Sequence, residues 1–332
     1  MEEFQCGFDL DPVEAESLFD ALIAADDQFL LTRVLLAWGE KGTTEDELFA
    51  LASIMRSRMK RIECRHPSFV DVVGTGGSTA KTFNVSTAAA FVIAGAGVAV
   101  AKHGNRAATS SSGSSDVLGL LGIDVDIDTG KTARHLDEHK ICFMFAPRFH
   151  HLSPTLAKAR RAVGHPTIFN NLGPLCNPAS APHQLIGVWD NDLVTKTANV
   201  LSRLGTGRSW IVHGENGLDE ISLIGKTRVA EINGDQIDLF EITAEDFGVD
   251  PKTGDLPRNC SAEESAAVIR NLLGNQLKGD DAENLVLINA AAAIYLAGMA
   301  DDLPSAFRIA AESVRSGEAM AKLTALAKVT NK

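Results

Sequence analysis

The sequence predicts an α/β fold in which a small all-helical unit precedes a larger unit built on a mostly parallel sheet. Three observations carry this. Apolar residues recur at helical spacing from residue 12 to 64, whereas from about residue 69 short β-rich runs alternate with helical ones. That alternation joins parallel strands through crossovers and lays helices on the sheet faces. The chain, 332 residues with 45% hydrophobic and 22% charged, is long enough for a large core and two domains.

In order along the chain, "EAESLFDALIAA", "FLLTRVLLAWGEKG" and "TEDELFALASIMRSRM" read as helices, with Thr43 or Thr44 capping the third ahead of Glu45 and Glu47. The strands expected next are "FVDVV", "GVAVA", "ICFMFA", "LIGVW" and "SWIVH". "ISLI" and "TRVAEI" are expected to form a hairpin through Gly225 and Lys226. Between these runs, "SPTLAKARRAVGHP" (153–166) is helical and ends near Gly164 and Pro166, whereas "NNLGPLCNPASAPH" (170–183) reads as a Pro/Asn-rich connection. Residues 262–331 are mostly helical again, and no solenoid-type repeat or low-complexity tail is visible.

The formal charge of −12 argues against a nucleic-acid partner held on a broad basic surface, so an anionic ligand needs a local site or a metal bridge. Cys6, Cys64, Cys142, Cys176 and Cys260 show neither a CxxC pair nor the spacing of a disulfide framework or zinc site, and suit a reducing compartment. The acidic start, Glu2 and Glu3, lacks the basic start and apolar core of a signal peptide. The most apolar runs, 85–101 and 285–299, are rich in small residues and interrupted by polar ones, and read as buried elements rather than membrane spans. A cytoplasmic protein without a membrane partner is the expectation.

Four stretches bear on chemistry. "DVVGTGGSTAKTFNVSTAAAF" (71–91) runs from a strand through Gly74-Thr75-Gly76-Gly77 to a helix starting near Asn84 to Ser86. Its amides and the helix N-terminus would cradle an anion, although a tight strand-to-helix turn has the same appearance. A P-loop ending at Lys81 would need glycine at Thr75 and Ala80, and a dinucleotide fingerprint would need one at Thr79, so both are excluded. "KHGNRAATSSSGSSD" (102–116) gathers Lys102, His103 and Arg106 with serines before a helix at Asp116, which suits either a second phosphate group or a polar capping loop. In "HGENGLDEIS" (213–222), Asp219 and Glu220 are either solvated surface or holders of Mg²⁺, a hard cation that prefers oxygen ligands. Arg160 and Arg161 close a helix, where a guanidinium either complements the dipole or grips a carboxylate. His150 and His151 do not share a helix face and suit solvated or core-bonded roles better than metal ligation. No GxSxG, HExxH or Cys/His nucleophile pattern is present, so the motifs point to binding and positioning of a phosphorylated ligand.

Taken together, "DVVGTGG", "TFNVST", "KHGNR", "SSGSSDVL", "FAPRFH", "TIFNNLGPLCNP", "LIGV" and "GLDEISL" resemble, in order and spacing, the anthranilate phosphoribosyltransferase family of tryptophan biosynthesis. The resemblance covers most of residues 20–245. It implies transfer of phosphoribosyl from 5-phosphoribosyl-1-diphosphate (PRPP) to the amino group of anthranilate, with release of diphosphate. It also implies a nucleoside phosphorylase/phosphoribosyltransferase-like fold. The helical domain would span 1–66 with a returning segment at about 155–185, and the α/β domain 67–154 and 186–332.

On the same resemblance PRPP would be held by Gly74, Gly77, Ser78, Thr82, Asn84, Val85, Ser86 and Thr87. Lys102, His103, Gly104, Asn105, Arg106, Ala107, Ala108, Thr109, Ser110 and Ser114 would join them. Ser86, Asp219 and Glu220 would serve two Mg²⁺ ions, with Glu220 shared, while Gly74, Asn105 and Arg160 would contact anthranilate, Arg160 at its carboxylate. Members are commonly homodimers through the helical domain. The amine is itself a nucleophile, so no covalent intermediate is required and no catalytic base is assigned.

The chain departs from the family pattern at Ser78, where the family usually has Asp, and at His151, Leu152, Ser153 and Pro154 in place of Pro-Ala-Met-Lys. A relative using another aromatic amine is the alternative these departures leave. Pyrimidine nucleoside phosphorylases share the fold but carry a KMSGR-like stretch where this chain has KHGNR. A non-catalytic nucleic-acid-binding relative would need a basic groove and would have lost the metal acids.

Overall fold

The computed structural model describes residues 4, 7–78, 80–106, 112–250 and 256–330. The chain opens with helices α1 (Pro12–Ala24), α2 (Gln28–Lys41) and α3 (Glu45–Arg58). The cap of α3 is Thr44, whose hydroxyl accepts from Glu47 N while Glu47 reaches back to the Thr44 amide. Glu47 is fully buried, and its carboxylate also meets the Lys41 ammonium at 2.9 Å, so the charge is paired where water cannot reach it.

The chain continues with β1 (Phe69–Gly74), α4 (Val85–Gly95), β2 (Ala99–Gly104), α5 (Ser114–Leu120), α6 (Thr129–His139), β3 (Ile141–Phe145), α7 (Ala146–Phe149), α8 (Pro154–Val163) and α9 (Ile168–Leu175). It continues with β4 (His183–Gly187), α10 (Asp192–Arg203), β5 (Arg208–Gly214), β6 (Thr227–Asn233), β7 (Gln236–Ile242), α11 (Ala262–Leu273), α12 (Asp281–Leu296), α13 (Leu303–Arg315) and α14 (Glu318–Thr330). The seven strands lie in the order β3-β2-β1-β4-β5-β6-β7. The first five are parallel, and β6 and β7 add an antiparallel edge.

This order reverses at β1: the chain builds outward through β2 and β3, then returns to place β4 on the other side of β1. Ligands of open α/β sheets bind beyond the carboxyl ends of the strands at such a reversal. Gly74 and Gly187 are paired there, which brings the end of β1 level with the end of β4.

Both sheet faces are covered. On one, α4 is buried from Val85 to Ala94 apart from Ser86 and packs against α12, with α11, α13 and α14 completing the layer. On the other, side chains of β4, β5 and β6 share a core with α1–α3, α8, α9 and α10, centred on Trp38, Phe19, Leu51 and Leu172. Arg56 of α3 ties this layer together by donating Nε to Leu175 O (2.6 Å) and a terminal nitrogen to Leu204 O (2.8 Å).

Three expectations are corrected. Residues 221–224, "ISLI", form no strand. Ser222 donates its hydroxyl to Ile224 O, its amide donates to Thr227 Oγ1, and Ile221 N donates to Asn289, so side chains take the bonds a ladder would have used. The hairpin instead joins β6 to β7 through Gly234 (φ +61°) and Asp235, while β6 pairs with β5. The stretch read as a connection from 170 begins inside a helix: Thr167 caps α9 reciprocally with Asn170, and Ile168, Phe169 and Leu172 are buried. Pro174 has no amide to donate to Asn170 O, and the helix ends one residue beyond it, where Cys176 N donates to Gly173 O. The helix expected at Asp116 starts at Ser114.

Candidate active site

A cleft of about 280 Å³ opens at the strand-order reversal. One wall is the glycine turn. Gly76 and Gly77 have φ of +66° and +84°, which residues with a Cβ rarely adopt, so the turn can fold back directly after β1. It is pinned on three sides. Thr75 donates both its amide and its hydroxyl to Gly187 O (2.9 and 3.2 Å), Asn170 Nδ2 donates to Thr75 O (3.1 Å), and Gly76 N donates to Asp219 Oδ2 (3.1 Å).

The loop carrying Asp219 and Glu220 crosses the ends of β1 and β4. A Cβ on Gly187 would lie 1.6 Å from Asp219 O and one on Gly74 would lie 2.8 Å from Asp219 Oδ2, so the glycines make room for the acids. Glu220 faces Ser86 in the first turn of α4, whose amide bonds its carboxyl group. Burial, with Asp219 beside it, pushes the Glu220 carboxyl up to about 8, and burial raises Asp219 as well. A buried acid whose ionisation is suppressed by a neighbouring acid is a site completed by positive charge.

Part of that charge is built in. Lys102, buried at the end of β2, donates Nζ to Val72 O and to Ser86 Oγ (3.1 Å for the latter). Behind it Asp71, buried in β1, accepts from His103 N (3.1 Å) and from Asn177 Nδ2 (2.7 Å); burial pushes its carboxyl up to about 6. Sequence reasoning missed Asp71 and Asn177. The signal was present: a carboxylate inside the apolar run "FVDVV" needs a partner.

At the other end the lining turns apolar. Met55, Ala146, Leu152, Phe169 and Pro174 line the cleft together with Arg160. The Arg160 guanidinium lies over the Phe169 ring (5.3 Å), and its Nε is buried with no hydrogen-bond partner among the described residues. Burial, with Arg161 next to it, depresses its pKa to about 10, which leaves it charged at neutral pH. An unpaired buried guanidinium beside an aromatic-sized apolar wall is complementary to an aromatic carboxylate. His103 and His150 form the floor, with Nε2 atoms 3.2 Å apart and His103 Nδ1 3.1 Å from Gly173 O.

Gly74, Gly77, Ser78, Thr82, Asn84, Val85, Ser86, Lys102, His103, Gly104, Asn105, Arg106, Ser114, Arg160, Asp219 and Glu220 are all brought to this one cleft. Thr87 is not part of its lining; its side chain is fully buried one residue further along α4. Ala107, Ala108, Thr109 and Ser110 lie outside the described residues. Ser78 is buried and donates its hydroxyl to Gly217 O (2.5 Å), tying the glycine turn to the acidic loop. Of the altered stretch 151–154, only Leu152 lines the cleft, while Ser153 caps α8 by accepting from Leu156 N.

The sequence profile described as "Glycosyl transferase family, a/b domain" matches residues 66–320. An anthranilate phosphoribosyltransferase of Myxococcus xanthus is 46% identical over 86% of this chain and 84% of its own length. One from Moorella thermoacetica is 44% identical over 96% of this chain and 94% of its own. The chain belongs to the anthranilate phosphoribosyltransferase family. The crystal structure of the Thermus thermophilus family member superposes with a TM-score of 0.85 at 34% identity, covering 100% of this chain and 99% of that one. The Saccharomyces cerevisiae anthranilate phosphoribosyltransferase in complex with PRPP and Mg superposes with a TM-score of 0.81 at 28% identity, covering 93% and 88% of the two chains. Both likenesses extend across the helical unit and the sheet.

Proposed function

We propose that this chain transfers the phosphoribosyl group of PRPP to the amino group of anthranilate, releasing diphosphate. One observation carries the reading: a single cleft combines a glycine turn, a buried lysine and paired acids at one end with Arg160, stacked on Phe169, and an apolar wall at the other. The first end suits diphosphate and ribose. The second suits an aromatic carboxylate.

Displacement at the ribose C1 passes through a cation-like centre, so the protein must stabilise the departing diphosphate and align the incoming amine. The Gly76–Ser78 turn, the start of α4 and Lys102 hold the diphosphate side, with Asn105, Arg106 and Ser114 around the ribose phosphate. Arg160 orients the acceptor through its carboxylate, with Gly74 and Asn105 flanking the ring, and proximity supplies much of the rate. Asp219, Glu220 and the Ser86 hydroxyl form an all-oxygen donor set that fits Mg²⁺, and two ions sharing Glu220 are proposed. Bound Mg²⁺ would neutralise charge on the diphosphate as it leaves.

The proposed division into domains places residues 1–66 and the returning segment of about 155–185 in the unit that carries Arg160. The packing of α8 on α2 and of α9 on α3 supports it, although α10, beyond that boundary, also packs on α3. A homodimer through the helical unit is proposed as well. Phe8, Val13 and Phe29 are 64%, 73% and 72% exposed on or just before its first two helices, and light scattering in solution tests whether they are covered. Among the described residues no helix is long and apolar enough to cross a membrane. A cytoplasmic location is inferred from the water-soluble substrates.

The activity test is loss of anthranilate fluorescence on mixing the purified protein with PRPP and Mg²⁺. Turnover dependent on all three supports the assignment. Absence of turnover under saturating conditions would reject it.

A further inference from the structure

We propose that Asn170 is a positioning residue that couples the two ends of the cleft, so that an aromatic carboxylate and PRPP each tighten the binding of the other. The inference rests on the phosphoribosyl-transfer reading above and adds to it a route between the two subsites.

Helix α9 is the physical link. Its second residue, Phe169, lies under the Arg160 guanidinium at 5.3 Å. The next residue, Asn170, is nine-tenths buried and uses both ends of its amide. Its Oδ1 accepts from Thr167 N (3.0 Å), which fixes the helix start, and its Nδ2 donates to Thr75 O (3.1 Å), inside the glycine turn. Pro166, just before the helix, packs so closely on the same turn that a Cβ on Gly77 would lie 2.4 Å from its Cγ. Further along α9, Gly173 O meets His103 Nδ1 at 3.1 Å.

Within the glycine turn, Thr75 is therefore held between two supports. On the sheet side Thr75 donates to Gly187 O at the end of β4, and on the helix side its carbonyl accepts from Asn170. Only the second support belongs to the segment that carries Arg160. A carboxylate drawn to the Arg160 guanidinium, which lines the cleft, anchors it over Phe169 and with it the start of α9. That holds Asn170 against Thr75 and leaves the glycine turn set for the diphosphate. By linkage, PRPP seated on the turn must favour the carboxylate by the same factor.

Calorimetric titration of the full chain with PRPP and Mg²⁺, alone and with saturating benzoate, tests this. Benzoate has the carboxylate and ring but no amine, so no turnover intervenes. In the unsubstituted protein benzoate should tighten PRPP binding by roughly fivefold or more. Asn170→Asp keeps the acceptor for Thr167 N and so preserves the helix cap, but offers no donor to Thr75 O; its ratio of PRPP affinities with and without benzoate should fall to about one. Asn170→Ala should show the same ratio. A merely structural role would lower the melting temperature or both affinities and leave the ratio intact, so an unchanged ratio in Asn170→Asp overturns the proposal. Independent binding of PRPP and benzoate to the unsubstituted protein overturns it too, while leaving the phosphoribosyl reading standing. Absence of PRPP binding removes both.

Discussion

The Nε2 atoms of His103 and His150 face each other at 3.2 Å in the floor of the cleft. His103 Nδ1 lies against Gly173 O and donates to it, and His150 bonds the backbone at Cys176, so both rings are fixed by main-chain partners. Burial, then the neighbouring His150, depresses His103 to about 3, and burial depresses His150 to about 4. Both are neutral in the folded protein at physiological pH. Unfolding frees them to titrate near 6.5, so the unfolded chain binds more protons below that value. The stability they contribute is complete above about pH 6.5 and is lost as pH falls toward 4. Replacing His150 with Asn should flatten the slope of unfolding free energy against pH in that window by roughly 1.4 kcal/mol per pH unit. Urea denaturation at three pH values reads it; parallel slopes would contradict burial of His150 as a neutral ring.

Glu220 titrates in the opposite sense. Its folded pKa of about 8 lies above the ordinary 4.5, so without metal the folded protein binds the extra proton and loses stability as pH rises from about 4.5 through 8. Mg²⁺ must displace that proton. Its apparent affinity should therefore climb by up to about tenfold per pH unit and level off above pH 8. A metal affinity that is flat between pH 6 and 8 would show that the carboxyl is already ionised. Glu220→Ala should abolish Mg²⁺-dependent turnover, and activity retained at the same metal concentration would remove the shared-ligand role.

Ser78 supplies a hydroxyl to Gly217 O where the resembling pattern has a carboxylate. Ser78→Asp would place a third acid beside Asp219. The melting temperature without metal should fall, and Mg²⁺ should bind about tenfold more tightly, because affinity of such sites rises with the number of charged ligands. Thermal shift across a Mg²⁺ titration measures both. An unaltered metal-free melting temperature would mean that the new carboxylate escapes the acidic loop.

Arg160→Ala removes the cation at the apolar end. A lost charge-assisted hydrogen bond costs about 1.5–3 kcal/mol, so the KM for anthranilate should rise roughly 10- to 100-fold, far more than the KM for PRPP, which should rise only by the coupling factor of roughly fivefold. Steady-state kinetics with each substrate varied in turn separates the two. Equal effects on both constants would place the arginine elsewhere in the chemistry.

The parts of this site that the sequence revealed are those whose backbone geometry demands particular residue types. A strand followed by three glycines in four residues has few uses, and Thr44 ahead of Glu47 specifies a helix start locally. The parts it concealed depend on tertiary partners. Helix α9 reads as a loop because Asn170, Asn171 and Pro174 are poor helix formers, and it is stable only because its apolar face is buried and its cap is reciprocal. The contact of Pro166 with Gly77 joins residues 89 positions apart and leaves no local trace. "ISLI" has the composition of a strand, but Asn289, from far along the chain, claims its backbone.

Helix α4 carries no charged residue, and its close-packed body leaves so little space that a Cβ on Gly95 would lie 2.3 Å from Ser313 Oγ. Its first turn lines the cleft while its remaining turns are surrounded by other helices and the sheet. In a saturation mutagenesis experiment the two ends of this one element would therefore behave as different classes. Substitutions at Asn84 or Ser86 should leave abundant but inactive protein, whereas those from Ala88 to Ala94 should deplete the protein itself. Only a screen that reads abundance alongside growth without tryptophan would tell them apart.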